Sequence, residues 1–349
     1  MAYSNLDKHT LHFNTVLYTG NNTTRNITGF GFQPDMIWVK ARNGSGPWYI
    51  QDSVRGDGKY IRMNTNAVEG TDTTLFNGFV SDGFVCGSSN SINTTSETYL
   101  AVGWKADNTS GSSNSDGSIT STVSANTTSG FSIVSYTGNG TSGATVGHGL
   151  GVKPAFIHVK NLDSSSEDNV YYHQYLGGTK AFKNRSTSNS AVTTAGYWND
   201  TDPTNQYFTL GNDGGVNTSG QRYIAYCWAE TQGFSRFGMY KSNGNANGPF
   251  SPTGMKPNLV WIYPYETADE KEVYDIRRAG FNPDNWHLNA NLDSTEAQNS
   301  GRIDILSNGF KVKVAPSGPV NNGTRGIEYL TMAWGQPTVG SNNISATAR

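Results

Sequence analysis

Three stretches of this 349-residue chain share one spelling: "GFGFQPDMIWVK" at 29–40, "GLGVKPAFIHVK" at 149–160 and "PTGMKPNLVWIY" at 252–263. Each carries a proline (Pro34, Pro154, Pro257) followed by an apolar run. Their surroundings recur too. Downstream of each lies "WYIQDSVRG" (48–56), "VYYHQYLGG" (170–178) or "VYDIRRAG" (273–280), and each unit closes on "YLAVGW" (99–104), "YIAYCW" (223–228) or "YLTMAW" (329–334). Two distant landmarks that move together define an internal repeat with a period of roughly 105–120 residues. A period of that length is too long for a solenoid unit and long enough for each copy to hold a core of its own.

The runs themselves read as strands. They are short, rich in β-branched and aromatic residues, and bounded by Gly, Pro, Asn and Asp. Several are continuously apolar, the pattern of strands buried on both faces. Only "ETADEKEVYDIRRA" (266–279) has local helical character, and its alignment with the other repeats predicts a strand over 272–278, preceded by at most one helical turn. The expected fold class is all-β, three tandem β-sandwich-like domains, with boundaries at 1–106, 129–232 and 233–349. Residues 107–128, almost wholly small and polar, are expected to be a linker. A propeller is disfavoured because its blades run about 40–50 residues.

Composition narrows the function. Only 15% of residues are charged, the net charge is −2, and the polarity comes from Ser, Thr, Asn and 41 glycines. There is no basic block for nucleic acid and no apolar run of membrane-spanning length. The opening residues carry no secretory pattern, so synthesis in a cytoplasm is expected. Cys86 and Cys227 fall at non-equivalent positions of the repeat and are expected to be buried thiols, not a disulfide.

The spelling carries no recognisable catalytic signature. "GNGTSG" (138–143) matches a dinucleotide-binding spelling, but the glycines that follow it do not open a helix, and a hairpin turn is the better reading. The six histidines form no helical metal-ligand pair, and His158 stands where the other repeats have Trp38 and Trp261. The acidic group Glu266, Asp269, Glu270 and Glu272 reads as a solvated loop face. No catalytic residue, metal or cofactor is expected. Five tryptophans, Trp38, Trp104, Trp228, Trp261 and Trp334, occupy repeat-equivalent positions and are expected to be core. Trp48, Trp198 and Trp286 are unmatched. With Tyr49, Tyr171, Tyr172 and Tyr197 they are the candidates for a sugar-stacking or protein-contact surface.

The framework "GFGFQPDMIWVKARN", "QDSVRG", "YLAVGWKA", "YIAYCWAETQGFSRFGMY" and "MAWGQPTVGSNNISATAR" resembles a repeat family of virion proteins in tailed bacteriophages of marine bacteria, labelled tail-fibre-like or structural. The resemblance spans nearly the whole chain. It implies a non-enzymatic protein on the particle exterior, made in the host cytoplasm and released by lysis. A tail fibre or receptor-contact role comes first, and a capsid decoration or head-fibre role second. A polysaccharide-degrading enzyme is a remote third. Implied partners are other virion proteins, further copies of the chain, and a host cell-surface glycan or protein. The second repeat departs from the pattern at Leu176–Gly177, where "SVRG" becomes "YLGG", which leaves the Arg55 position without a counterpart. The ends, 1–12 and 335–349, are poor in core-forming residues, and at least one is expected to pack on a neighbouring chain or another virion protein.

Overall fold

The computed structural model describes residues 6, 8–184, 191–267, 269–278, 281–313 and 317–339. In it the repeated runs are antiparallel strands with the same register in each copy. In the first repeat β1 (Phe13–Thr19), β2 (Met36–Ala41), β3 (Tyr49–Asp52) and β4 (Thr98–Trp104) form the main sheet, with β4 between β1 and β2. Residues 107–128, expected to be a linker, instead carry β5 (Ser112–Asn114) and β6 (Ser121–Asn126), which extend the main sheet of the second repeat. That sheet continues through β7 (Phe131–Thr137), β8 (Phe156–Asn161), β9 (Val170–His173) and β10 (Arg222–Trp228). The small polar composition hid these strands: β6 lies between β5 and β7, yet it buries Ser121 and Ser124 as well as Val123, so its spelling carries little apolar signal. The third repeat uses β11 (Ser235–Lys241), β12 (Met255–Pro264), β13 (Glu272–Asp275) and β14 (Glu328–Pro337). The strand expected over 272–278 forms, but it ends at Asp275 in a turn.

The closing tryptophans are the reference points. Trp104 pairs with Phe13 on one side and Met36 on the other. Trp228 pairs with Phe131 and Phe156, and Trp334 with Ser235 and Leu259. Each repeated proline therefore lies two residues ahead of the residue that faces a closing tryptophan.

Alternation along these strands serves two cores. Ile37, Val39, Tyr49, Tyr99 and Ala101 face a second layer of the first repeat, made by Arg25–Thr28, Gly83–Cys86 and Phe76–Val80. The second repeat has its own such core, closed by Ala144–Gly147 and Tyr207–Leu210. In the third, the sheet itself runs on through Asp284–Asn289, Ala297–Leu306, Gly309–Val312 and Phe250–Pro252, and Ile303, Ile305 and Phe310 pack back on Val260 and Ile262.

The opposite faces of the three main sheets meet each other. Met36, Trp38, Val102 and Trp104 join Phe156, Tyr226 and Trp228 and Leu259, Trp261 and Trp334 in one apolar cluster. Indole rings of different repeats touch there: Trp38 and Trp261 at 6.0 Å, Trp104 and Trp228 at 6.0 Å, Trp228 and Trp334 at 5.8 Å. The continuous apolar runs are thus explained: one face of each strand belongs to its own sandwich and the other to a core shared by all three repeats. Each repeat keeps a core of its own, and the shared core adds one that the sequence reading did not expect. Among the described residues no helix is long and apolar enough to cross a membrane.

Candidate functional site

The unmatched aromatics do not form a surface. Trp48, Tyr49, Tyr171, Tyr172, Tyr197 and Trp198 are all buried, and Trp286 is half-buried. Trp48 lies in the shared core and donates its indole N–H to the Asn289 carbonyl at 2.9 Å, tying the first repeat to the third. Tyr171 stacks on His158 with ring centroids 4.5 Å apart. Tyr172 packs edge-on to Trp198 and donates its hydroxyl to Asp202 at 3.2 Å. Tyr197 lies under the Lys183 ammonium, and Tyr49 lies against Tyr60. Being unmatched between repeats marked them as loop residues in the sequence. Tyr49, Tyr171 and Tyr172 instead sit on inward strand positions, Tyr197 and Trp198 on the short helix Ala195–Trp198, and Trp48 just ahead of β3, where neighbours differ from one repeat to the next. The repeat-equivalent tryptophans are core, each at most 1% exposed.

Polar groups at the seams between repeats follow one another around the ring. Lys40 of the first repeat donates to the carbonyls of Asp293 and Ser294 in the third, at 3.2 and 2.8 Å. Its counterpart Lys160 donates to the Asn66 carbonyl of the first repeat at 3.2 Å. At the same position of the third repeat, the Tyr263 hydroxyl donates to the Lys183 carbonyl of the second. Burial lowers the ammonium pKa of both Lys40 and Lys160 to about 8.

A second set is ionic. Arg55 is held by Asp52, by the Ile50 carbonyl and by Glu69, and it donates to the Tyr226 hydroxyl of the second repeat at 3.2 Å. Arg278 repeats the arrangement with Asp275, the Val273 carbonyl and Glu296. Arg222 reaches Glu69 from the second repeat and Arg42 reaches Glu296 from the first. In the second repeat the two positions hold His173 and Leu176, which face the third repeat with no ion pair among the described residues. Burial lowers the His173 pKa to about 3, and Leu176 joins the shared apolar cluster. The missing arginine of "YLGG" is therefore a seam that became neutral.

The third repeat places a carboxyl and an imidazole side by side inside its own sandwich. Glu272 stands where the other repeats have Tyr49 and Val170, and His287 where they have Tyr60 and Ala181. Burial raises the Glu272 carboxyl to about 7, while the Arg302 guanidinium and the Tyr274 hydroxyl pull it part of the way back. His287 Nε2 lies 3.4 Å from Glu272 Oε1, Arg302 lies 3.6 Å from the same oxygen, and Glu270 stands at the solvent side. The ligand atoms of Glu270, Glu272 and His287 fall within 4.8 Å of one another. One imidazole and two carboxylates are a donor set for zinc or manganese. Arg302 competes with a cation for Glu272 and already supplies its countercharge. The acidic group read as a solvated face therefore splits: Glu270 is exposed and Glu272 is interior.

Two repeated devices escaped the sequence reading. Tyr18 stacks on Tyr99, Tyr136 on Tyr223 and Tyr240 on Tyr329, at 5.0, 5.1 and 4.9 Å. The first tyrosine of each pair donates its hydroxyl to a carbonyl: Ile92, Val216 or Val320. A buried asparagine follows each of those carbonyls. Asn93, Asn217 and Asn321 each accept the amide of a turn residue: Asn21, Asn139 or Asn243. The signal was present as "YTGN", "YTGN" and "YKSNG" with Asn at a near-constant distance before the closing tryptophan.

On the surface, two grooves stand beside main-sheet edges. One, of about 390 Å³, is lined by Thr15, Val16 and Leu17 of β1, by Gly29, and by Arg277 of the third repeat. The other, of about 510 Å³, includes Ser235 and Arg236 of β11, Glu230, and Pro252 to Gly254. They occupy corresponding places, since Gly29 and Pro252 each lie five residues before the repeated proline.

Residues 8–337 match the family described as "Domain of unknown function (DUF7483)", and the chain belongs to that family. No curated protein and no solved structure matches it.

Proposed function

We propose that the chain is a non-enzymatic structural protein of a tailed-bacteriophage virion, carried on the particle exterior and contacting the host receptor. The observation that supports this reading most is the ring of three like units locked on one tryptophan core. Each unit spends both faces of its main sheet on packing, so side chains are committed to holding shape. Solvent meets Ser-, Thr-, Asn- and Gly-rich turns, which tolerate variation without touching the core. Such a body suits an exposed particle component better than a scaffold built around a reaction centre. A second reading, capsid decoration or a head fibre, is favoured by the same ring: a body with three-fold pseudo-symmetry and no shaft matches a site of local symmetry on a shell.

The test is direct. Particles from lysed hosts carrying the gene are purified and their proteins identified by mass spectrometry, and antibodies to the chain are assayed for adsorption block. The chain is expected in the particles, with antibodies that reduce adsorption. Antibody bound to the head with adsorption intact selects decoration. Absence of the chain from purified particles overturns both.

A further inference from the structure

The third repeat carries a side-chain cluster that the other two lack, built on two neighbouring strands. Glu272 opens β13 and pairs with Asn289. His287, two residues earlier on Asp284–Asn289, therefore lies diagonally across from Glu272 on the same face of the sheet. Glu270 stands two residues ahead of Glu272, at the solvent side. At the two ladder positions the first repeat has Tyr49 and Tyr60 and the second has Val170 and Ala181, which offer no such donor set.

The two oxygens of Glu272 are placed differently. The side chain is fully buried, and Oε2 accepts from the Tyr274 hydroxyl. Oε1 accepts no hydrogen bond among the described residues. It faces His287 Nε2 at 3.4 Å, and the Arg302 guanidinium comes to 3.6 Å, too far for a hydrogen bond. A buried carboxylate oxygen without a donor costs free energy, and a cation bound to it removes that cost.

Spacing selects the ion. Zinc bonds of about 2.0–2.1 Å at tetrahedral angles put adjacent ligand atoms about 3.3 Å apart. Glu272 Oε1 and His287 Nε2 already stand at 3.4 Å. A Glu270 oxygen lies within 4.8 Å of both, a gap that rotation of an exposed side chain closes. Magnesium and calcium take oxygen ligands, and the imidazole speaks against them. Charge agrees: Arg302 offsets Glu272, while Glu270 and Asp269 add negative potential at the same point. Arg302 thus lowers the affinity without closing the site.

We propose that Glu272 Oε1, His287 Nε2 and a Glu270 oxygen form a zinc site, with water as the fourth ligand. His287 carries its proton on Nδ1 and offers the Nε2 lone pair. The ion ties β13 to Asp284–Asn289, where the third main sheet runs on through further strands. Only the folded chain assembles the three ligands, so zinc raises its stability.

The full chain, dialysed against zinc chloride and then analysed for bound metal, tests the assignment, with affinity taken from competition with a chromophoric chelator. The parent is expected to hold one zinc ion per chain and to melt at a higher temperature with zinc than with chelator. Glu270→Gln changes an exposed position and should weaken binding by about tenfold or more, and His287→Gln by more still. Glu266→Gln, on the same loop but outside the set, should bind as the parent does. X-ray absorption at the zinc edge should show one imidazole among short oxygen ligands. Circular dichroism checks each variant, and if His287→Gln does not fold, Glu270→Gln alone decides. A parent that binds no zinc overturns the site, as does a zinc shell without imidazole. Equal weakening in Glu266→Gln and Glu270→Gln also overturns it, since that is diffuse attraction to an acidic loop.

Discussion

The Trp334 indole stacks on the Phe13 ring at 6.1 Å with an interplanar angle of 21°, so the last strand of the third repeat closes on the first strand of the first. Closure by this contact makes the three units one body, and it sets the scale for the first prediction. Trp334→Ala removes a fully buried ring from the shared core and should cost about 3–5 kcal/mol. Because Trp104 and Trp228 touch the same ring, their alanine variants should cost a similar amount. Denaturant unfolding followed by fluorescence and by circular dichroism should give one coincident transition. Separate transitions for separate repeats would show that the cores are independent.

The seam between the first and second repeats predicts an asymmetry. Arg55→Leu leaves Asp52 buried without its cation, while Glu69 keeps Arg222 and Lys59, and should destabilise by about 3–5 kcal/mol. Adding Asp52→His imports the pair that the second repeat uses, His173 with Leu176. The double variant should recover part of the loss, read as the difference in midpoint denaturant concentration. A double variant no better than Arg55→Leu would mean that the neutral seam depends on its own surroundings.

Stability should depend on pH through buried groups of opposite sense. Burial lowers the His158 and His173 pKa values to about 3 from 6.5. Folded pKa values below the unfolded value mean that their contribution is complete above pH 6.5 and is lost as the pH falls toward 3. Glu272 is raised to about 7 from 4.5, so its contribution is complete below pH 4.5 and is lost as the pH rises to 7. The net expectation is a falling melting temperature on acidification from pH 6.5. Glu272→Gln should gain on the parent between pH 5 and pH 8. Parallel melting curves across that range would show that Glu272 does not titrate in the window.

Both thiols should be inert in the native protein. Cys86 and Cys227 are buried and unpaired, and burial pushes the Cys86 thiol up to about 12 and Cys227 higher still. Only a small thiolate fraction exists at neutral pH, and neither sulfur meets solvent. A disulfide-forming dye should react with neither in native buffer and with both in denaturant. Fast labelling before unfolding would place one thiol at a locally opening segment.

Much of the fold could be read before any coordinates. The shared spelling around Pro34, Pro154 and Pro257 marked the equivalent strands, and the closing tryptophans marked the core, because a ring the sheet demands in each copy recurs at a constant register. The all-β class followed from short β-branched runs between turn residues. What the spelling left open was where the second face of each main strand goes. Trp38 and Ile37 are both apolar, and nothing local says that one faces the sandwich and the other faces two more sheets. The same blindness turned Trp48 and Tyr171 into surface candidates: an aromatic that packs against another repeat has no partner within its own. It also hid β6, which buries the small polar Ser121 and Ser124 between two strands and so lacks an apolar run. Sequence by itself determined the repeat, the strands and their registers, which depend on alternation and turns within a hundred residues. Only the tertiary structure decided that Trp104, Trp228 and Trp334 meet, since the burial that drives them together involves chain segments far apart and is non-directional, and so leaves no periodic trace.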